Sequence, residues 1–441
     1  MTRPLLDACT NAAKAHRPDR RTLLKAGTTG ALLAAARALL PSGAFAQGAG
    51  PEVKGTKLGY IALTDASPLV IAKEKGFFAK HGLPDMEVLK QASWGATRDN
   101  MALGTKANGI DGGHILRPKT HLYATGKVMQ NGQPLPMYTL LNLNEDCQGL
   151  SVSNEYKDLN VGTDASALKE AFAKKKASGK EVKVAMTFPG GTHDLWIRYW
   201  LAAGGIDPDK DVQTIVVPPP QMVANMKVGT MDAFCVGEPW NEQLVNQDIG
   251  FTAATTGELW FRHPEKVLGM RADWVDANPK ATQAILMAVM EAQMWCEKAD
   301  NKQEMAEIIG RRQWFNVPVA DIIGRIKGDI NYGRGRIEKG TKLGMKFWGE
   351  KGESSYPWKS LDSWFITENI RWGKFDAGID IKALVDKTNR SDLWIEAAKG
   401  LGLVGYPTAD SRGPEKFFDG KVFDPKDPAA YLASLGIKRI A

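Results

Sequence analysis

The chain has 441 residues, with 57 Lys and Arg against 50 Asp and Glu, a formal net charge of +7, and 43% hydrophobic residues. At roughly 100–200 residues per domain this length implies two or three domains. Ordinary apolar and charged fractions exclude a disordered chain, a collagen, a disulfide scaffold and a polytopic membrane protein. The surplus of positive charge raises nucleic acid as a partner, and its position along the chain decides that point.

The surplus sits at the N-terminus. Residues 1–18 are polar and aperiodic. Arg20-Arg21-Thr22-Leu23-Leu24-Lys25 then leads into a weakly apolar run over 26–40, followed by the small-x-small pattern Ala44-Phe45-Ala46. Together these read as a twin-arginine export signal over 1–46 and imply a periplasmic protein. A mitochondrial presequence or plain basic leader is the alternative. The apolar run falls short of the about 20 residues that a membrane span needs, and Arg37 interrupts it. No lipobox cysteine precedes the cleavage pattern, so no membrane anchor is expected. Seven basic residues (Arg3, Lys14, Arg17, Arg20, Arg21, Lys25, Arg37) and two acids (Asp7, Asp19) belong to this leader, which leaves +2 on the remaining 395 residues. Nucleic acid is thereby set aside.

Beyond the leader, a βα pattern repeats. A strand is expected over 57–63, then helix-start signals at Asp65, Ser67 and Pro68, and a helix over 69–80. A short strand over 86–90 precedes a second junction at Ser93-Trp94-Gly95-Ala96-Thr97, and a third strand is expected over 109–115. Such alternation predicts an α/β fold with mixed, mostly parallel sheets. Residues 137–153 read as extended and apolar, a crossover into a second lobe. That lobe holds helices over 165–178, 194–203 and 221–227, and strands over 183–188, 213–217 and 233–236. The chain is expected to return to the first lobe between 239 and 268 and to continue from 279 as a helical C-terminal extension. The division is therefore 47–150 for the start of lobe I, 151–250 for lobe II, and 251–441 for the return and extension. With Cys9 in the leader, three cysteines remain, Cys147, Cys235 and Cys296, odd in number and widely spaced, which favours buried free thiols over a disulfide framework.

Much chemistry is missing. The sequence has no C-x-x-C or H-E-x-x-H spacing for zinc, no C-x-x-C-H for haem, no Walker A loop and no G-x-S-x-G elbow. Gly333-Arg334-Gly335 lacks the third glycine of a dinucleotide fingerprint, with Glu338 in its place. No metal, no cofactor and no catalytic residue is expected. An exported oxidoreductase is therefore disfavoured.

What is present is a set of hydrogen-bond donors at strand ends, where an α/β sheet exposes its ligand crevice. Trp94 places an indole N–H beside a helix N-terminus, whose free backbone donors suit an anion. Pro189-Gly190-Gly191-Thr192-His193 ends a strand, lets the backbone approach a ligand and puts His193 in the first turn of a helix. Cys235-Val236-Gly237-Glu238-Pro239 ends another strand, with the Gly237 N–H available.

Several stretches carry a family resemblance. Tyr60-Ile61-Ala62-Leu63-Thr64-Asp65-Ala66-Ser67-Pro68-Leu69, Ala72-Lys73-Glu74-Lys75-Gly76-Phe77-Phe78, Gln91-Ala92-Ser93-Trp94-Gly95-Ala96-Thr97-Arg98-Asp99-Asn100 and Gly109-Ile110-Asp111-Gly112-Gly113-His114-Ile115 are four of them. Val223-Ala224-Asn225-Met226-Lys227-Val228-Gly229-Thr230-Met231-Asp232-Ala233-Phe234 and Arg271-Ala272-Asp273-Trp274-Val275 continue it. The sequence resembles the nitrate/bicarbonate substrate-binding proteins of ABC transporters, the NrtA/CmpA type. The resemblance implies a two-lobed, type II periplasmic-binding fold with a ligand held between the lobes, and an ABC permease as partner. It places ligand positions on Trp94, Gln148, His193, Pro219, Val236, Gly237 and Lys266.

Those residue types suit nitrate, a planar monoanion whose oxygens only accept hydrogen bonds. Its pocket should present donors and one positive charge, with no facing carboxylate, and Lys266 is the expected counter-charge. In bicarbonate-binding relatives the position matching Lys266 is acidic and associated with a metal, so lysine here favours nitrate or nitrite. The basic run Arg117-Pro118-Lys119-Thr120-His121 departs from the family pattern and is read as a peripheral basic lip. The expected function is a monomeric periplasmic receptor delivering nitrate to a permease. A bicarbonate or sulfonate-type receptor is the nearest alternative; a nitrate sensor acting on a cytoplasmic antiterminator is another, at odds with the export signal.

Overall fold

The computed structural model describes residues 50–440, and the export signal read over 1–46 lies outside them. Two five-stranded sheets organise the described chain. The first contains β1 (Lys57–Tyr60), β2 (Glu87–Lys90), β3 (Gly112–Leu116) and β4 (Met137–Asn142). The second contains β5 (Gln148–Ser153), β6 (Lys183–Met186), β7 (Gln213–Val216), β8 (Ala233–Gly237) and β9 (Gly250–Thr255). The chain then returns to the first sheet as β10 (Lys266–Arg271). The orders are β2-β1-β3-β10-β4 and β7-β6-β8-β5-β9.

Both sheets follow one plan. Three parallel strands are flanked by a strand from elsewhere in the chain that runs antiparallel: β10 beside β3, and β5 beside β8. The chain passes between sheets twice, at 143–147 and again at 256–265. Strands β1 and β3 are buried on both faces: Leu58 and Tyr60 are covered, and Gly113 lies so close to β1 that an added Cβ would stand 2.0 Å from the Gly59 carbonyl oxygen. That contact leaves no room for a side chain at the centre of the sheet.

Several element boundaries differ from those the sequence suggests. The helix expected over 69–80 is two pieces, Ser67–Glu74 and Phe77–Lys80, because Gly76 adopts a left-handed φ of 73° and stops the first. The extended stretch over 137–153 is two strands in different sheets, separated by Asp146 and Cys147, whose φ values of 59° and 65° turn the backbone out of the strand path. The helix expected over 194–203 begins at Thr192, so His193 lies inside its first turn.

Beyond residue 279 the chain is mostly helical, with two small hairpins, Ile330–Gly333 with Arg336–Glu338 and Glu415–Lys416 with Val422–Phe423. This extension packs on both sheets' layers. Helix Pro279–Glu297 lies against helix Ser67–Glu74. Trp364, Trp372, Phe417 and Tyr431 join Trp196, Trp200 and Trp260 in the core beneath the second sheet. Helix Lys359–Arg371 thus contributes Trp364 to one side, and on the other its Asp362 accepts a hydrogen bond of 2.6 Å from Arg117 Nε.

That contact corrects the reading of Arg117 as part of a peripheral lip. Arg117 is fully buried, and its guanidinium also reaches Asn142 Oδ1 and, at 2.8 Å, the Trp358 carbonyl. A partner 245 residues away covers it, which no local pattern could reveal. The three cysteines are free and buried, and among the described residues no helix is long and apolar enough to cross a membrane.

Candidate functional site

The residues that follow β1, β2 and β6 and the last residue of β8 converge with the first residues of β5 and β10. Trp94 opens the helix Trp94–Leu103, capped by Ser93 Oγ, which accepts from the Ala96 N–H at 3.1 Å. His193 is the second residue of helix Thr192–Ala203, and the Gly190-Gly191 turn before it places Gly190 at φ 70°. Hydrogen bonds tie the two sheets' loops together here. Thr64 N donates to Glu238 O at 2.7 Å, Trp240 Nε1 to Ala62 O at 3.1 Å, and Thr192 Oγ1 to Glu265 Oε1 at 2.6 Å.

Four of the expected residues form one buried cluster. Lys266 Nζ donates to Asp65 Oδ2 at 2.9 Å and to Glu265 Oε1 at 2.5 Å. Gln148 Nε2 donates to Asp65 Oδ2 at 3.2 Å, and its Oε1 lies 3.1 Å from His193 Nε2. His193 Nε2 is also 3.1 Å from Glu265 Oε1, while Nδ1 lies 2.6 Å from Thr187 Oγ1. Because a carboxylate only accepts, Nε2 carries the proton and Thr187 donates to Nδ1. Gly237 faces the same point, since a Cβ on it would stand 2.6 Å from Gln148 Oε1 and 3.3 Å from Asp65 Oδ2.

The arrangement overturns one expectation. Lys266 is fully buried. But the site does hold facing carboxylates: Asp65 and Glu265 are both buried and both paired with Lys266. Burial by itself would lower the Lys266 ammonium, but Asp65 and Glu265 carry it above the ordinary lysine range. Burial likewise opposes both carboxylates, and Lys266 outweighs it, helped by His114 at Asp65 and His193 at Glu265, so both sit below their usual range. Burial pushes His193 and His114 down, with Lys266 adding to the effect, so both imidazoles are neutral near pH 7. One cation therefore faces two anions.

Trp94 joins through His114, whose Nε2 lies 2.6 Å from Asp65 Oδ1 and whose ring centroid is 5.3 Å from that of Trp94. The Trp94 Nε1 is buried and has no hydrogen-bond partner. Val236 lies in β8 with its carbonyl accepting from Asn241 Nδ2 at 2.9 Å, and Pro219 is buried at the start of the 3-10 turn Pro219–Gln221. Neither takes part in the cluster's hydrogen bonds. Lys119, also read as part of a basic lip, is fully buried, and its Nζ donates to the Trp94 carbonyl at 3.1 Å. Among the described residues no group of three or more His, Cys, Asp or Glu is placed to hold a metal.

Sequence reasoning missed Asp65, His114, Thr187 and Glu265. Asp65 was visible only as a helix-start residue, although its place just after the first strand is itself a crevice position. A direct test of the cluster is Gly237→Ala. The added methyl forces Gln148 aside, and overpacking of this kind costs about 1–3 kcal/mol. Secondary structure should be retained while anion affinity, read by calorimetry, falls at least about tenfold. Parental affinity would remove Gly237 and Gln148 from the site.

Two α/β lobes built on one plan, with converging strand ends between them, define a type II periplasmic-binding-protein fold. Residues 49–310 match the NMT1-like family, and the chain belongs to that family, in the group of the NrtA and CmpA binding proteins. It is 60% identical over 393 residues to the nitrate/nitrite binding protein NrtA of Synechocystis sp. PCC 6803, covering 88% of this chain and 86% of that one. It is 47% identical to the bicarbonate-binding protein CmpA of Synechococcus elongatus PCC 7942, covering 88% of each. The crystal structure of the periplasmic nitrate-binding protein NrtA from Synechocystis PCC 6803 superposes with a TM-score of 0.85, covering 88% of this chain and all of that one.

Proposed function

We propose that this protein is a periplasmic receptor that captures nitrate, or nitrite, between its two lobes and delivers it to an ABC permease, performing no chemistry. The observation that carries the reading is the unpartnered, buried Trp94 N–H beside the buried cluster of Gln148, His193, Gly237 and Lys266. An indole N–H in that position needs an acceptor, and nitrate offers only acceptors. The lobes would be 47–150 with 251–441 on one side and 151–250 on the other, with hinge motion shifted by the anion. Export through the twin-arginine route and a monomeric state belong to the same reading. The 60% identity to a nitrate/nitrite binding protein supports the substrate. A relative named nitrate import ATP-binding protein NrtC, 34% identical over 394 residues, supports a transport setting.

Bicarbonate is the second reading, favoured by one observation. Asp65 and Glu265 could accept the O–H that bicarbonate carries and nitrate lacks. Titration with nitrate, nitrite, bicarbonate with and without calcium, and a small sulfonate separates the readings. Nitrate at 100 times its dissociation constant should stabilise the fold by about 2.7 kcal/mol. No stabilisation by nitrate or nitrite, with a calcium-dependent response to bicarbonate, would overturn the main reading.

A further inference from the structure

The cluster around Lys266 cannot attract an anion by its charge alone, because Lys266 is matched against both Asp65 and Glu265. A second buried cation stands nearby. Lys119 opens the helix Lys119–Ala124 and is fully covered. Its ammonium lies 3.6 Å from the centroid of Phe188, 4.9 Å from that of Trp94 and 5.4 Å from that of Tyr123. Phe188 follows β6 of the second sheet, whereas Trp94 and Tyr123 follow β2 and β3 of the first, so the cage has walls from both. No carboxylate among the described residues forms an ion pair with Lys119. The charges that bear on it, Arg98 and Asp99 on the helix that Trp94 begins, are paired with each other at 2.7 Å.

Aromatic faces and one carbonyl hold an ammonium in place, but they do not neutralise it. A buried cation without a counter-ion is unfavourable unless something completes it. The independent sign of what completes it is the Trp94 N–H, on the very ring that Lys119 stands over, buried and without an acceptor. The geometry points to Lys119 as the surplus positive charge of the anion site, with a small monovalent oxyanion at Trp94 Nε1 as its counter-ion. This rests on the nitrate reading and assigns the charge within it: Lys266 neutralises the two carboxylates, and Lys119 supplies the attraction. In so dry a setting the field of one ammonium acts across the indole with little screening.

The test is Lys119→Met, which keeps the length and fills the aromatic cage. Calorimetric titration with nitrate should show affinity reduced about 100-fold or more, as expected when one member of a buried charge pair is removed. Melting of the same variant without nitrate should match or exceed the parent, which shows that the fold is intact. Affinity within threefold of the parent would overturn the inference. Should Lys119→Met fail to fold, the parent's own pH profile decides. Burial, with Arg98 adding to it, holds Lys119 well below the ordinary lysine range, opposed only in part by Asp99. Lys266 is held above that range, His114 and His193 are already neutral, and burial raises the Tyr123 phenol on the same helix. Nitrate affinity should therefore weaken with rising pH well before free lysine titrates near ~10.4; a flat profile to pH ~10 overturns the proposal. A parent that gives no heat with nitrate at any pH overturns the nitrate reading and this inference with it, an outcome distinct from a parent that binds and a Lys119→Met variant that binds equally.

Discussion

Lys266→Met should abolish nitrate binding and lower the unfolding free energy by about 3–5 kcal/mol at pH 7, the loss expected when a buried ion cluster is deprived of one partner. All three side chains are fully buried, so solvent does not soften the effect. The methionine is close in size to the lysine stem, and the loss comes from Asp65 and Glu265, left as two unpaired carboxylates. The pH dependence gives the sign. In the parent both carboxylates have folded values below their unfolded ones, near ~4. Their contribution is present above pH ~4 and is lost as the pH falls through the folded values. In the variant burial is no longer opposed by Lys266, so the folded values rise above the unfolded ones. Its stability should then gain more than the parent's as pH falls from 7 toward 5. Urea denaturation at these two pH values checks the prediction. A variant with parental stability and the parent's own pH profile would show that Lys266 does not neutralise the pair. Lys266→Glu adds a third carboxylate and should be harsher still in both respects.

What could be read from the sequence and what could not divide along physical lines. Trp94, His193 and Gly237 announce themselves locally, because a strand end followed by Gly or a helix start is a pattern of neighbours. Most strands of both sheets are legible in the same way, from short apolar runs alternating with helix-start signals, whereas β9 and β10 are not read as strands. Asp65 and Glu265 are different. Whether a carboxylate faces a lysine depends on a partner 201 residues away for Asp65, and sequence spacing carries no trace of it. Basic residues are exposed by default, which is why Arg117 and Lys119 read as a lip. Both are buried, Arg117 because Asp362 comes from the far end of the chain and Lys119 because Phe188 arrives from the other sheet. The C-terminal extension was the least legible part. Its tryptophans pack into a core that includes Trp196 and Trp200, more than 150 residues earlier.

One tie from the extension to the site runs through the carboxylate of Asp362. Arg117 Nε donates to Asp362 Oδ1 at 2.6 Å, His121 Nε2 lies 3.2 Å from the same oxygen, and Asn389 Nδ2 donates to Oδ2 at 2.7 Å. Arg117 directly follows β3, its N–H donates to the Glu265 carbonyl at 3.2 Å, and Lys119 comes two residues later. Asp362 therefore holds the backbone that carries both Glu265 and Lys119.

Asp362→Ala should accordingly be among the most damaging single changes outside the cluster. Arg117 stays buried with only Asn142 and the Trp358 carbonyl as acceptors, and the expected loss is about 3–5 kcal/mol. Burial raises the Asp362 carboxyl, but Arg117 and His121 outweigh it and hold the group well below the usual range. Its folded value being the depressed one, Asp362 stabilises above pH ~4 and less and less as the pH falls below that. The variant should therefore lie well below the parent at pH 7 and approach it as both are acidified, since the parent alone has this contribution to lose. Urea midpoints at pH 7 and pH ~3.5 measure the convergence. Arg117→Met in the Asp362→Ala background should restore part of the stability, because it removes the stranded cation. A double variant no more stable than the single one would mean that Asp362 acts by packing rather than by charge. Nitrate affinity should fall in the single variant and recover only in part in the double, since neither change restores the tie from helix Lys359–Arg371 to the strand end that positions Lys119.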